Sequence, residues 1–128
     1  MIRATLDDAE RINEWIWRDN GKRLPSLESF IEDRNNVFLI EGEGGAIFVW
    51  RGPGIYEVHL FLEQRGREAI SLVRRMLEWM RSQMGANLFW AAVPVESRHV
   101  IMFTRLMGWK SRGFGNFPQG RCELFVGE

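Results

Sequence analysis

Apolar residues recur every three or four positions in four segments of the chain, which is the spacing of one helix face. In the longest segment, about residues 68–84, the apolar side chains form one stripe and most arginines lie outside it, so an amphipathic helix is predicted. Thr5 is a suitable N-cap for the first helix, and Gly108 is a suitable stop for the last. The predicted helices span residues 5–20, 25–31, 68–84 and 97–107.

Short apolar runs between glycine-rich turns predict the strands of a sheet. The run at 88–93 is apolar without interruption, as expected of a central strand that is covered on both faces. Side chains alternate between the two faces of a strand, so Glu57 and His59 are expected on the same face. Residues 115–118 are rich in Gly, Asn and Pro and predict a loop. The predicted strands span residues 2–4, 37–40, 46–50, 55–62, 88–93, 109–114 and 122–126.

This order of elements predicts one α/β domain over residues 1–128. A strand–helix–strand unit in the middle of the chain requires a right-handed parallel crossover, and the flanking hairpins make the rest antiparallel. The predicted architecture is therefore a mixed (α+β) sheet of six to seven strands with helices on both faces.

The composition argues against several classes of protein. Of the 128 residues, 45% are apolar, which suffices for a core without disulfides or metals. The 17 Lys and Arg residues balance the 17 Asp and Glu residues, so no overall field favours nucleic acid or a membrane surface. No apolar run approaches the roughly 20 residues that span a bilayer, and the acidic N-terminus is unlike a signal peptide.

A single cysteine, Cys122, cannot form an internal disulfide or a cysteine-based zinc cluster, and no metal site is expected. This cysteine usage is typical of a reducing compartment, so a cytoplasmic location is expected. Cys122 lies near the end of an apolar run and is expected to be a small buried hydrophobic residue rather than a nucleophile.

Three segments, in this order and at this spacing, resemble those of the GNAT (GCN5-related N-acetyltransferase) superfamily. Residues 2–10 (IRATLDDAE) are similar to the family's first strand and helix start. Residues 60–67 (LFLEQRGR) resemble its pyrophosphate loop before the long helix. Residues 93–109 resemble its last strand–helix unit, which usually ends in Gly-Phe. Within the superfamily, the segments RGR and VPVESRH look most like those of short proteins encoded by tailed bacteriophages.

The resemblance implies binding of acetyl-CoA, whose pyrophosphate needs a cradle of backbone N–H groups. A helix N-terminus supplies such groups together with a positive dipole end. The family loop reads Gln/Arg-x-x-Gly-x-Gly/Ala, and the best register places Gln64 first and Ala69 last. The fourth position is then Arg67 rather than glycine, although Arg65 and Arg67 add positive charge. The alternative is that this segment is only a solvated turn between a strand and a helix.

The strand before the loop contributes two further positions. In the family this strand separates from its neighbour, and its backbone pairs with the pantetheine arm as an additional strand would. Leu60 and Leu62 are the matching positions here. The cofactor-binding residues implied by the resemblance are Leu60, Leu62, Gln64, Arg65, Gly66, Arg67, Glu68 and Ala69.

Acyl transfer to an amine also requires a group that accepts a proton from the amine. Glu57 and His59 are the candidates, because carboxylates on this strand act as general base in several GNAT enzymes. A half-buried carboxylate beside apolar neighbours is expected to have a raised pKa, which suits a base. The alternatives are that Glu57 pairs with an arginine or that both residues face solvent.

The family's usual general acid is a tyrosine four residues before the glycine of Gly-Phe. That position is Thr104 here, and a threonine hydroxyl is too weak an acid to replace a phenol. The only tyrosine, Tyr56, is expected on the strand face opposite Glu57. In the last helix Ser97 is expected to be the N-cap and His99 to be exposed.

Three functions remain open. The first is an N-acetyltransferase that uses acetyl-CoA, with Glu57 as base and an unknown small-molecule or protein amine as acceptor; residues 25–31 and 115–118 would wall the acceptor side. The second is a catalytically inactive GNAT-fold phage protein, located in the host cytoplasm or the virion. It would act as a virion, internal or head-assembly component through self-association or phage structural proteins. The third is a binding module that holds CoA only as a ligand.

Overall fold

The computed structural model of the protein describes residues 1–20, 27–42 and 44–128, apart from the side chains of residues 15–20. Pro25, where the second predicted helix starts, lies outside the described residues, as does Gly21, the glycine that follows the first predicted helix. The elements are β1 (Ile2–Arg3), a 3₁₀ turn (Leu6–Asp8), α1 (Ala9–Asn20), α2 (Leu27–Glu32), β2 (Val37–Glu41), β3 (Gly44–Gly52), β4 (Ile55–Phe61), α3 (Gly66–Met84), β5 (Leu88–Pro94), α4 (Arg98–Leu106), β6 (Lys110–Phe117) and β7 (Gly120–Gly127).

The strands form one seven-stranded mixed sheet in the order β1-β2-β3-β4-β5-β7-β6. In this sheet β4 and β5 run parallel, connected by α3, and the other neighbouring strands are antiparallel. The predicted mixed sheet with a central β-α-β unit is thus confirmed.

Helices cover the two faces of the sheet because the strand side chains alternate between two apolar cores. The core under α3 joins its buried stripe to one face of the strands, and Leu72, Met76 and Met80 there are fully buried. Burying each such side chain contributes about 1.5–3 kcal/mol. The opposite core joins α1 and α2 to the other face, through Ile12 and Leu27. None of the described helices is long and apolar enough to cross a membrane.

The prediction of a loop at 115–118 was wrong. Residues up to Phe117 belong to β6, and Gly115 and Phe117 pair with Cys122 and Gly120 of β7. Gly and Asn have low intrinsic strand propensity, but pairing along a neighbouring strand outweighs that preference. This segment is therefore a strand at the edge of the sheet and not a loop walling the acceptor side.

The two parallel strands separate part of the way along their length. Pairing between β4 and β5 runs from Ile55 and Leu88 to Glu57 and Trp90 and then ends. Beyond that point β4 stays paired with β3 as far as Phe61, and β5 stays paired with β7. A gap consequently opens between the carboxyl ends of the two strands.

Candidate active site

A cavity of about 210 Å³ occupies the gap between β4 and β5. Val73 of α3 and one face of α4 complete its walls, which are mostly apolar. Apolar walls suit an extended ligand segment that carries few charged groups. Arg67 does not line the cavity, so its guanidinium does not plug the gap. Polar and aromatic residues that do line it are His59, Phe61, Ser97, Phe103, Thr104 and Trp109.

The structure brings one of the two predicted leucines to this gap. Leu60 lines the cavity and pairs with Ala46 of β3. Its pairing with β5 has already ended, so among the described strands none pairs with it on that side. Leu62 lies just beyond β4, and its carbonyl oxygen accepts a hydrogen bond from Arg65 Nη1 at 2.7 Å. The carbonyl of Leu62 is thus already engaged by the protein.

Gln64 faces the β2–β3 turn. Its Nε2 donates to the carbonyl oxygen of Glu41 at 3.3 Å, and its buried Oε1 has no hydrogen-bond partner among the described residues. Gly44 makes this approach possible, because a Cβ there would lie 2.9 Å from the amide nitrogen of Glu63 and 3.1 Å from Oε1 of Gln64. Gln64 therefore anchors the start of the loop to β2.

The loop leads directly into the N-terminus of α3. Arg65 is the N-cap, and its carbonyl oxygen accepts from the N–H of Ala69 at 3.4 Å. The N–H groups of Gly66, Arg67 and Glu68 precede this first helical hydrogen bond, so they are the donors available to an anion. Gly66 has φ +59°, and nothing lies within 4 Å of where its Cβ would be.

The side chains of this first turn differ in what they can contact. Arg67 and Glu68 are exposed, whereas Ala69 is buried against the sheet. Arg67 lines a shallow surface depression with Arg74 and Arg75 on the outer face of α3. Two cationic side chains, Arg65 and Arg67, therefore flank the free N–H groups.

Glu57 lies at the centre of a three-residue cluster on the sheet face that packs against α1 and α2. Arg51 donates to its Oε1 twice, from Nε at 2.9 Å and Nη2 at 2.7 Å. His59 Nε2 lies 2.5 Å from its Oε2. The Glu57 side chain is only 14% exposed, whereas that of His59 is 44% exposed. The structure thus brings the two predicted catalytic residues together and adds an arginine, as the ion-pair alternative anticipated.

The expectation of a raised pKa for Glu57 was wrong. The hydrogen bond from His59, followed by that from Arg51, holds the pKa of Glu57 below its usual value and outweighs the opposing effect of burial. The expectation assumed apolar neighbours, but the cluster supplies charged and polar ones. A carboxylate with a lowered pKa remains ionised at neutral pH and is a weak proton acceptor.

Ser97, at the start of α4, lines the cavity. Ser97 occupies the N-cap position as predicted, but its side chain makes no capping hydrogen bond. Thr104 donates its hydroxyl hydrogen to the carbonyl oxygen of Val100 at 2.7 Å, so that hydroxyl is committed to the helix backbone. His99 is exposed, and Tyr56 is buried in the α3 core, away from Glu57.

Cys122 is fully buried, as predicted, and burial raises the pKa of its thiol, with Glu96 adding to the effect. A buried neutral thiol is a poor nucleophile. Within residues 1–20, 27–42 and 44–128, no group of three or more His, Cys, Asp or Glu side chains could hold a metal ion.

Arg51 is the site residue that sequence reasoning missed. It lies at a β-bulge, because the pairing of β3 and β4 shifts between Trp50 and Gly52. A bulge adds one residue to a strand and redirects its side chain. The signal in the sequence was the Gly-Pro-Gly turn that follows Arg51, since a tight hairpin returns the chain within reach of Glu57.

A mixed sheet whose central parallel strands diverge ahead of a helix N-terminus is the GNAT fold, and this chain has that fold. No family model and no curated protein matches the sequence. Solved structures do match, over nearly the whole chain.

Three of these structures illustrate the likeness. A point mutant of spermidine N-acetyltransferase SpeG from Vibrio cholerae is 12% identical, with a TM-score of 0.74 over 98% of this chain and 92% of that one. Aminoglycoside acetyltransferase AAC(6')-Ib with coenzyme A and kanamycin is 16% identical, with a TM-score of 0.73 over 98% and 92%. Ribosomal-protein-S5-alanine acetyltransferase from Vibrio fischeri is 13% identical, with a TM-score of 0.76 over 98% and 90%.

At these identities the likeness establishes the fold. The resemblance to phage-encoded proteins stays a prediction, since none of the three is described as a phage protein.

Proposed function

We propose that the protein is an N-acetyltransferase that moves an acetyl group from acetyl-CoA to an amine. The observation that carries the proposal is the open cavity between β4 and β5, with His59 on its wall and the N-terminus of α3 following β4. Together these features provide a place for the arm, an anion site for the pyrophosphate and a proton acceptor.

Each part of the donor has a counterpart in the chain. The apolar walls and the unpaired edge at Leu60 suit the pantetheine arm. The free N–H groups of Gly66 to Glu68, flanked by Arg65 and Arg67, suit the pyrophosphate. AAC(6')-Ib, which shares the fold, was crystallised with coenzyme A. This agreement supports acetyl-CoA as the donor.

The acceptor side supports an amine. Glu57 and His59 lie where β4 and β5 separate, so a proton acceptor adjoins the gap that would hold the thioester. Among the structural neighbours, SpeG is named for spermidine, and AAC(6')-Ib was crystallised with kanamycin. Both acceptors are amines, which agrees with a site that removes a proton from nitrogen.

The proposal is tested by thermal unfolding with acetyl-CoA and by thiol release across a panel of amines. A ligand at 100 times its Kd stabilises the folded state by about 2.7 kcal/mol, so the melting temperature should rise by several degrees. Desulfo-CoA controls for binding without chemistry. The absence of a shift at millimolar acetyl-CoA contradicts the proposal. A shift without thiol release from any polyamine, aminoglycoside or peptide amine would instead identify a CoA-binding module.

A further inference from the structure

We propose that His59 is the proton acceptor of this site, through its Nδ1 atom, and that Glu57 and Arg51 are positioning residues that hold its ring. The inference rests on the proposed function and assigns roles within that site. It is carried by the geometry of the three side chains and by the position of His59 on the cavity wall.

Both oxygens of Glu57 already have partners. Oε1 accepts two hydrogen bonds from Arg51, and Oε2 lies 2.5 Å from His59 Nε2. Arg51 has no other protonation state near neutral pH, so it always donates. A carboxylate held in this way is a hydrogen-bond acceptor for the imidazole rather than a base for the substrate.

The pairing also fixes which nitrogen of His59 carries the proton. A neutral imidazole has one N–H and one lone pair, and an ionised carboxylate can only accept. Nε2 must therefore carry the hydrogen that is shared with Glu57, which leaves the lone pair on Nδ1. Among the described residues Nδ1 has no hydrogen-bond partner.

The exposed fractions of the two side chains also favour His59 over Glu57 as the proton acceptor. His59 lines the cavity and its side chain is 44% exposed, whereas Glu57 does not line it and is 14% exposed. An entering amine can therefore reach the imidazole while the carboxylate stays behind it. This arrangement follows the general logic of a base that is oriented by a third group.

The proton balance of the step is complete with this assignment. A neutral amine nitrogen forms the C–N bond to the acetyl carbon as the C–S bond to CoA breaks. One proton of that nitrogen passes to Nδ1 of His59, and the resulting imidazolium returns it to the departing thiolate. The products are the N-acetyl amine and CoA with its thiol, and no other co-reactant is needed.

The tautomer of His59 provides a test that does not depend on activity. The protein has two histidines, and the exposed His99 serves as an internal reference in ¹⁵N NMR of the free protein. At a pH that leaves both rings neutral, we expect the hydrogen of His59 on Nε2. In the Glu57→Gln variant, we expect Arg51 to donate to the amide oxygen of the new glutamine, because a guanidinium can only donate. The amide NH₂ then faces His59, and the hydrogen moves to Nδ1.

Thiol release measures the consequence for turnover. His59→Gln and Glu57→Gln should each lower kcat about 100-fold, the usual contribution of a general base, with the KM for acetyl-CoA unchanged. His99→Gln is the matched control and should retain full activity. Adding Arg51→Met to Glu57→Gln frees the amide to turn its oxygen toward His59. The double variant should therefore recover the Nε2–H tautomer and part of the lost kcat.

That recovery distinguishes positioning from a structural role, because loss of two structural contacts would lower activity further. A wild-type hydrogen on Nδ1, or full activity of His59→Gln, overturns the assignment. Absence of thiol release from the wild type with every amine overturns the proposed function instead. The tautomer pattern would in that case still decide whether Glu57 and Arg51 orient the ring.

Discussion

Arg67 is the single residue at which the loop departs from the GNAT pattern, and its role depends on where its side chain lies. The guanidinium lies on the outer face of α3, beside the first turn and outside the cavity. In this position it adds charge near the proposed pyrophosphate site without obstructing the arm. The departure from glycine therefore leaves the cavity between β4 and β5 open.

We expect Arg67→Ala to weaken acetyl-CoA binding about threefold, because an exposed charge contributes about 0.2–1 kcal/mol to an ionic contact. The loss should shrink further in high salt, where exposed charges are screened. Titration calorimetry at two ionic strengths measures both effects. Arg74→Ala, about two turns further along the same helix face, is the matched control and should change binding less. Tighter binding by Arg67→Ala would show that the side chain obstructs the loop.

Glu57 shows what the sequence of a single strand could and could not predict. The alternation along β4 correctly placed Glu57 and His59 on one face, opposite Tyr56. The direction of the pKa shift of Glu57 could not be read from that strand, because Arg51 reaches it from the neighbouring strand. The hydrogen-bond partners of a carboxylate decide the direction of its pKa shift, and one partner of Glu57 is Arg51, which lies at the bulge in β3.

At the scale of elements, the long helix α3 is bounded by a glycine at each end. Gly66 has φ +59° and Gly85 has φ +68°, and a Cβ at either position would meet nothing within 4 Å. Each alanine substitution should therefore cost about 1 kcal/mol of stability through backbone strain alone. Comparing the two alanine variants therefore separates the cost of a left-handed backbone conformation from any effect on ligand binding.

We expect Gly66→Ala to weaken acetyl-CoA binding severalfold and Gly85→Ala to leave it unchanged, although both lower stability alike. Gly66 is the first residue of α3, and a shift of its backbone reorients the free N–H groups; Gly85 lies at the opposite end. Chemical denaturation and ligand titration measure the two quantities. Equal affinities in both variants would remove the first turn of α3 from the binding site.

At the scale of the whole molecule, Glu41 ties distant parts of the chain together, and Glu57 joins residues of two neighbouring strands. Glu41 binds Arg75 of α3 and the N-terminal ammonium group, and Glu57 links Arg51 to His59. The hydrogen bond from Arg75 is the largest cause of the lowered pKa of Glu41, as that from His59 is for Glu57. Both carboxylates therefore contribute stability only while they are ionised.

The sign of the resulting pH dependence follows from linkage. The usual pKa of these groups is 4.5, and a lowered folded-state pKa means that the unfolded chain binds more protons in acid. Their contribution is complete above about pH 4.5 and is lost as the pH falls through the folded-state values. We expect Glu41→Gln and Glu57→Gln each to flatten the acid limb of the unfolding free energy, measured by denaturant titration. An unchanged slope in both variants would contradict this account.

The sequence by itself determined the order and type of the elements, because apolar periodicity and glycine positions reflect local geometry and burial. It also placed Glu57 and His59 on one strand face and indicated the loop before α3. The tertiary structure alone decided that residues 115–117 join a strand, because cross-strand pairing outweighs local propensity. It alone decided that Arg51 reaches Glu57, since that contact depends on a bulge between two paired strands. It alone also decided that the gap beside His59 is open, because the point at which β4 and β5 separate is set by the packing of the whole sheet.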